Sequence, residues 1–260
     1  MDKEVMVNIV ILALAWLLFL GGGVGNAAEP KLPDTLGIAL GMPVKDAVQR
    51  MKELGLAIHA AETNPSNILE KPLLHELAGS KAMMGSMSGE SLRVSIATPP
   101  HSQVVWQVFR TSQFPEQARP ASATILTSLR EKYGPEIWKE LDGAGHPRVV
   151  RWLFDEQGRA LTGEANAMLA RGCNSYSPNN GTFNTPAGQR DPCYGIVHLE
   201  AKINALSKPG VADTLEIKLM HGPLARTFFP ATEAWIQEQQ AKAANREVEK
   251  AKQQGVKPAL

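Results

Sequence analysis

The chain has 260 residues, and its 43% apolar and 20% charged residues are typical of a globular protein. Its net charge is +1 and no five like charges are consecutive, so it lacks the clustered basic surface of nucleic-acid-binding proteins. The length allows one large domain or two small ones. We predict two α/β halves at 29–115 and 116–222, followed by a helical tail at 223–260.

Residues 1–28 have the pattern of an export signal. Residues 7–20 are apolar apart from Asn8, and Ala27 and Ala28 offer small residues at two candidate cleavage positions. Two acidic residues offset the first lysine, so the positive charge expected at the start of a signal peptide is absent. The alternative is an uncleaved anchor in the inner membrane, the one membrane contact that we predict. In both cases we expect the rest of the chain in the periplasm.

The first half, residues 29–115, is predicted to open with a helix and end with a strand hairpin. Apolar residues recur at helical spacing from Val44 to Leu54, and Gly55 ends that helix. The pattern predicts the other elements in chain order: an extended segment at 37–41, a strand at 56–60, irregular chain at 63–90 with a short helix around Leu73–Ala78, and a hairpin of 92–96 with 104–110.

The second half begins with a helix at Ser122–Tyr133, which Gly134-Pro135 ends. His198 belongs to an alternating segment predicted as a half-buried strand, with this histidine on its polar side. The remaining elements follow in chain order: a strand at 148–154, a return arm at 159–170 or a helix at 165–170, the alternating strand at 196–204, a strand at 214–220, and a largely solvated helix from Ala231 to about Gln254.

Short connections between these strands favour antiparallel pairing. We therefore predict an α+β fold: an antiparallel sheet with helices packed on one face, plus a long C-terminal helix. A helix followed by strands occurs in both halves, so a duplication is one interpretation. The boundary between the halves would lie at 113–121.

The two cysteines, Cys173 and Cys193, enclose a segment rich in Ser, Asn, Gly, Thr and Pro. In an exported protein such a pair is expected to form a disulfide, which would tie down a segment unable to bury much apolar area. The alternatives are a metal site that includes His198, and a redox-active pair. Side chains in and beside this segment form a candidate contact surface: Tyr176, Phe183, Arg190 and Tyr194.

A search for catalytic motifs finds only partial matches. His75-Glu76 begins a zinc-protease motif, but the second histidine is replaced by Gly79. Residues 85–89 resemble a nucleophile elbow, but the central residue is Met87. We therefore predict a protein that is not an enzyme and has no cofactor.

Three methionines, Met83, Met84 and Met87, lie close together in the sequence. Thioethers are ligands for Cu(I), and His75 or His101 could join them in a copper site. The alternative is that these methionines pack in the core or cover a loop.

Three short segments resemble known exported families. Leu40–Val48 is similar to the helix opening of small α/β modules, among them SmpA/OmlA-type outer-membrane assembly lipoproteins and β-lactamase-inhibitor-like domains. Residues 132–135 and 152–158 resemble uncharacterised proteobacterial periplasmic proteins in which a cysteine pair precedes a final hairpin. These resemblances imply a non-catalytic protein that acts through protein contacts. The chain lacks the lipid-modified cysteine of the assembly lipoproteins.

The sequence thus favours an exported protein that acts by protein–protein contacts in the cell envelope. Two other functions stay open, a periplasmic small-ligand or copper-binding protein and an enzyme without a recognisable motif.

Overall fold

The structure is a computed structural model that describes residues 31–64, 69, 71–82, 89–173 and 192–255. The predicted signal segment lies outside the described residues. Ten strands and four helices are present in the described part, in chain order: β1 (Asp34–Thr35), β2 (Ile38–Ala39), α1 (Val44–Glu53), β3 (Ala57–Thr63), β4 (Leu73–Ala82), β5 (Gly89–Ile96), β6 (Val105–Gln113), α2 (Ser122–Tyr133), β7 (Trp138–Leu141), β8 (Pro147–Phe154), α3 (Glu164–Gly172), β9 (Val197–Asn204), β10 (Thr214–His221) and α4 (Gly222–Gln254).

The predicted α+β fold is confirmed. Eight strands form one antiparallel sheet in the order β3-β4-β5-β6-β10-β9-β8-β7, and β1 pairs with β2 in a small separate sheet. A helix followed by four strands occurs twice, as α1 with β3–β6 and as α2 with β7–β10, with α3 inserted between β8 and β9. The last strands of the two sets, β6 and β10, pair with each other at the centre, so both sets belong to one continuous sheet.

The first face of the sheet carries the main hydrophobic core. Helices α1 and α2 cover this face, where Met51 and Ile125 join buried strand residues such as Val94, Leu199 and Trp152. Alternate strand residues point to the same face, so each strand contributes every second side chain to this core. Gly79 of β4 admits α1, because a Cβ there would lie 2.6 Å from the Met51 Cε atom.

The second face of the sheet is only partly covered. A smaller apolar cluster joins Trp106 and Met220 on the sheet to Phe228 and Phe229 on the first turns of α4. Beyond Ile236 most side chains of α4 are exposed, as predicted for a largely solvated helix. Since α3 also contacts β7 and β8, the covered part of this face includes one edge of the sheet.

Two predicted elements in the first half were wrong. Residues 73–78 belong to the strand β4, not to a short helix, and residues 73–82 are not irregular. The apolar pairs in Leu73–Ala78 recur four residues apart, as in a helix, but pairing with β3 and β5 gives this segment the strand conformation.

In the second half, the helical alternative at 165–170 is correct, because α3 spans Glu164–Gly172. The strand β9 is not half-buried: His198 on its polar side is only 1% exposed. The C-terminal helix begins at Gly222 rather than Ala231. Pro223 fits the first turn, where no N–H is needed, and Pro230 is accommodated within the helix.

The junction of β10 and α4 requires glycine at position 222. A Cβ at Gly222 would clash with the carbonyl oxygen of Cys193 and lie 2.5 Å from that of Ile196. Because these are backbone atoms, we expect Gly222→Ala to lower the free energy of unfolding by about 1–3 kcal/mol in urea denaturation. The control is Gly195→Ala, where the added Cβ meets no atom within 4 Å. Equal stability of the two variants would contradict the packing described here.

Candidate functional site

One row of side chains crosses the second face of the sheet, perpendicular to the strands. Each member lies directly opposite the next on the neighbouring strand, and such opposed side chains interact across a sheet. We call it the charged row, and its members from β5 to β7 are Arg93, Phe109, Lys218, Glu200, Arg151 and Trp138.

A buried ion pair lies near the β7 end of the charged row, which we call its inner end. The Arg151 Nε atom donates to the Glu200 Oε2 atom at 2.7 Å, and both residues are buried. The guanidinium also lies 4.7 Å from the centre of the Trp138 ring. An isolated buried charge is costly, so this pairing and stacking hold both charged groups in place.

Arg151 also connects the sheet to α3. Its Nη1 atom donates to the carbonyl oxygens of Ala170, at 2.8 Å, and Arg171, at 3.0 Å. These carbonyls belong to the last turn of the helix, where carbonyl groups lack helical partners. The ion pair therefore fixes the end of α3 immediately before Cys173.

The predicted disulfide between Cys173 and Cys193 is confirmed. Cys173 follows α3, Cys193 lies in the 3-10 helix Pro192–Gly195, and both are buried, with Cα atoms 5.6 Å apart. The next residue, Tyr194, packs in the cluster with Phe228 of α4. The bond thus joins the end of α3 to the 3-10 helix that packs against α4.

The β5 end of the charged row, which we call its outer end, is more exposed to solvent. The Arg93 guanidinium and the Lys218 ammonium lie 5.5 Å and 5.9 Å from the centre of the Phe109 ring. Arg93 is exposed, whereas Phe109 and Lys218 are half-buried. Burial lowers the pKa of Lys218 to about 8, the positive charges of Lys202 and Arg93 act in the same direction, and the Glu200 carboxylate opposes them.

The structure describes only some of the residues predicted for the contact surface and for the copper site. Tyr194 is buried, at 3% exposure, and Tyr176, Phe183 and Arg190 lie outside the described residues. Met83, Met84 and Met87 also lie outside the described residues, so their predicted roles stay predictions. His75 is half-buried in β4, and the His101 ring lies 6.5 Å from that of Phe228. Within the described ranges, no three His, Cys, Asp or Glu side chains are grouped so that they could hold a metal ion.

Sequence reasoning missed the charged row. Its members come from strands far apart in the chain, and only pairing of those strands brings Phe109 opposite Lys218. The alternating pattern around Arg93 indicated which side chains of this strand point away from the core. It could not indicate which side chains of other strands lie beside them.

No family model, curated protein or solved structure matches this chain. In the part of the chain that the structure describes, no helix is both long and apolar enough to cross a membrane.

The buried ion pair gives a stability prediction. We expect Arg151→Met to lower the free energy of unfolding by about 3–5 kcal/mol, because the Glu200 carboxylate stays buried without its partner. The double variant Arg151→Met/Glu200→Leu should recover part of this loss. The control is Arg148→Met, which removes an exposed pair with Glu140 and should cost less than about 1 kcal/mol. Equal losses in Arg151→Met and Arg148→Met, measured by urea denaturation, would contradict the role of the buried pair.

The disulfide gives a second prediction. The Cys173→Ser/Cys193→Ser variant should lose about 3 kcal/mol of stability, since the bond closes a loop with a sequence separation of 20. We expect the sheet to persist, because its main core lies on the other face. Thermal unfolding followed by far-ultraviolet circular dichroism measures both. A variant with no folded signal at low temperature would show that the bond is needed for the sheet itself.

The lowered pKa of Lys218 predicts a dependence of stability on pH. Between about pH 8 and the usual lysine pKa of 10.5, the unfolded chain binds a proton that the folded chain has released. The free energy of unfolding contributed by Lys218 should therefore rise with pH over this window. The free energy of unfolding is measured against pH for the wild type and for Lys218→Met, and the difference between the two curves isolates this rise. Parallel profiles would show that Lys218 titrates normally.

Proposed function

We propose that the protein is exported, is not an enzyme, and binds another protein of the cell envelope through the open part of its second sheet face. We call this part the open surface, and it is formed by Ser91, Arg93, Phe109, Thr111 and Lys202. The observation that carries the proposal is the outer end of the charged row, where an aromatic ring lies between two cations.

Residue types on the open surface support protein binding. Aromatic residues and arginine are enriched where proteins bind each other, because they combine apolar area with directional hydrogen bonds. Phe109 is half-buried and Arg93 is exposed, so both can contact another molecule with little rearrangement. Ser91 and Thr111, opposite each other on β5 and β6, add hydroxyl groups on the same face.

The covered part of the second face supports a role in binding as well. The ion pair, the disulfide and the first turns of α4 hold the covering elements in place beside the open surface. A rigid surrounding lowers the entropy cost of binding. The disulfide supports the periplasmic location, since such bonds persist in oxidising compartments.

The test is recovery of a partner from crosslinked native envelopes with a tagged protein. We expect a specific envelope protein with the wild type and at least a tenfold lower yield with Arg93→Ser/Phe109→Ser, because truncating a hot-spot aromatic or arginine residue costs about 2 kcal/mol or more. The control is Lys45→Ser, on the exposed side of α1, which covers the opposite sheet face.

Equal recovery by both variants would move the contact elsewhere on the molecule and contradict the proposed surface. Repeated failure to recover any protein would contradict protein binding, and ligand binding, including copper, would then be examined with the purified protein.

A further inference from the structure

The open surface and the adjacent Lys218 carry an excess of positive charge. Three cations lie on the second face within four consecutive strands of the sheet, Arg93 on β5, Lys218 on β10 and Lys202 on β9, with β6 between β5 and β10. Lys202 and Arg93 lie close enough to Lys218 to destabilise its charged form. Such grouping of like charges opposes folding unless an opposite charge is bound nearby.

Two carboxylates of this region offset part of this charge. Glu200 is paired with Arg151 at 2.7 Å and has Lys202 at 3.7 Å, so two cations already share its charge. Glu216, opposite Lys202, accepts a hydrogen bond from the neutral Asn204 side chain and keeps its negative charge, which favours the charged form of Lys218. Against the cations Arg93, Arg151, Lys202 and Lys218, these two carboxylates leave an excess of positive charge on this face.

Arg93 is the cation with the least compensation. Within the described part of the chain its guanidinium contacts the Phe109 ring but forms no ion pair and no hydrogen bond. Glu76, on the diagonal position of β4, is not within ion-pair distance of it. An arginine guanidinium can stack on an aromatic ring and also form two parallel hydrogen bonds to a carboxylate.

We propose that the open surface binds an acidic segment of the partner protein, with an Asp or Glu carboxylate on Arg93 and its side-chain methylenes against Phe109. This inference rests on the proposed function and names the chemistry of the partner. Lys218 and Lys202 supply positive potential around the bound segment, and Ser91 and Thr111 lie where their hydroxyls can donate to a second carboxylate. Complementary charge of this kind steers association and weakens with salt.

The test uses the purified mature protein and two fluorescent peptides, one of alternating Glu and Ala and one of alternating Gln and Ala. Fluorescence polarisation should show binding of the Glu peptide alone, weaker at high salt. We expect Arg93→Gln to weaken this binding by about 10-fold or more, because hydrogen bonds between an ionised donor and a carboxylate are the stronger ones in proteins. Lys45→Gln removes one positive charge from the opposite side of the molecule and should leave the affinity within about twofold.

Three results would overturn the acidic-segment inference: equal binding of both peptides, no binding of the Glu peptide, or equal weakening by Arg93→Gln and Lys45→Gln. Binding of free glutamate as tightly as the peptide would show a small-anion site instead, and would also overturn it. The proposed function is tested separately by partner recovery. A partner lost in Phe109→Ser but retained in Arg93→Gln would contradict only the acidic segment, whereas a partner retained in both would contradict the binding surface itself.

Discussion

The antiparallel pairing of β6 with β10 is the constraint on which the rest of the structure depends. These strands end the two sets of helix and four strands, and their pairing joins both sets into one sheet. The same register places Phe109 opposite Lys218, and thereby connects Arg93 in one set to Glu200 in the other. A slip by one residue would exchange the two faces of the sheet, moving apolar side chains out of the core. Burial of the first face therefore fixes the arrangement of charges on the second.

The two faces of the sheet differ in composition and in their contribution to stability. The first is apolar, sealed by α1 and α2, and supplies most of the core. The second carries a buried ion pair and grouped cations, which rarely stabilise a protein more than apolar residues would. The ion pair has a positional role, since Arg151 holds the end of α3 next to the disulfide. We interpret the cations at the outer end as residues kept for binding, because they contribute little to the core.

The sequence predicted the parts of the fold that depend on local signals. The prediction of the helix Ser122–Tyr133 was correct because glycine and proline follow the helix directly. The prediction of the disulfide was correct because the chain has two cysteines that can pair with each other. The strand β4 was missed because the apolar pairs of Leu73–Ala78 recur at helical spacing, whereas its conformation depends on pairing with β3 and β5. The start of α4 was placed late, at Ala231, whereas the helix begins at Gly222 with Pro223 in its first turn.

The candidate site could not be predicted in the same way. Its members are separated by up to 125 positions, between Arg93 and Lys218, and no local pattern encodes the register that joins them. Burial of Glu200 and His198 also depends on elements that cover the second face, whereas alternation along β9 alone suggested an exposed polar side.

The most direct test of a binding surface on the second face is site-specific photocrosslinking in living cells. A photoreactive residue at Ser91, exposed on the open surface beside Arg93, should form one dominant adduct with an envelope protein. The same photoreactive residue in place of Lys45, on the exposed side of α1, should form no adduct. An adduct from position 45 alone, or none from position 91, would contradict the account.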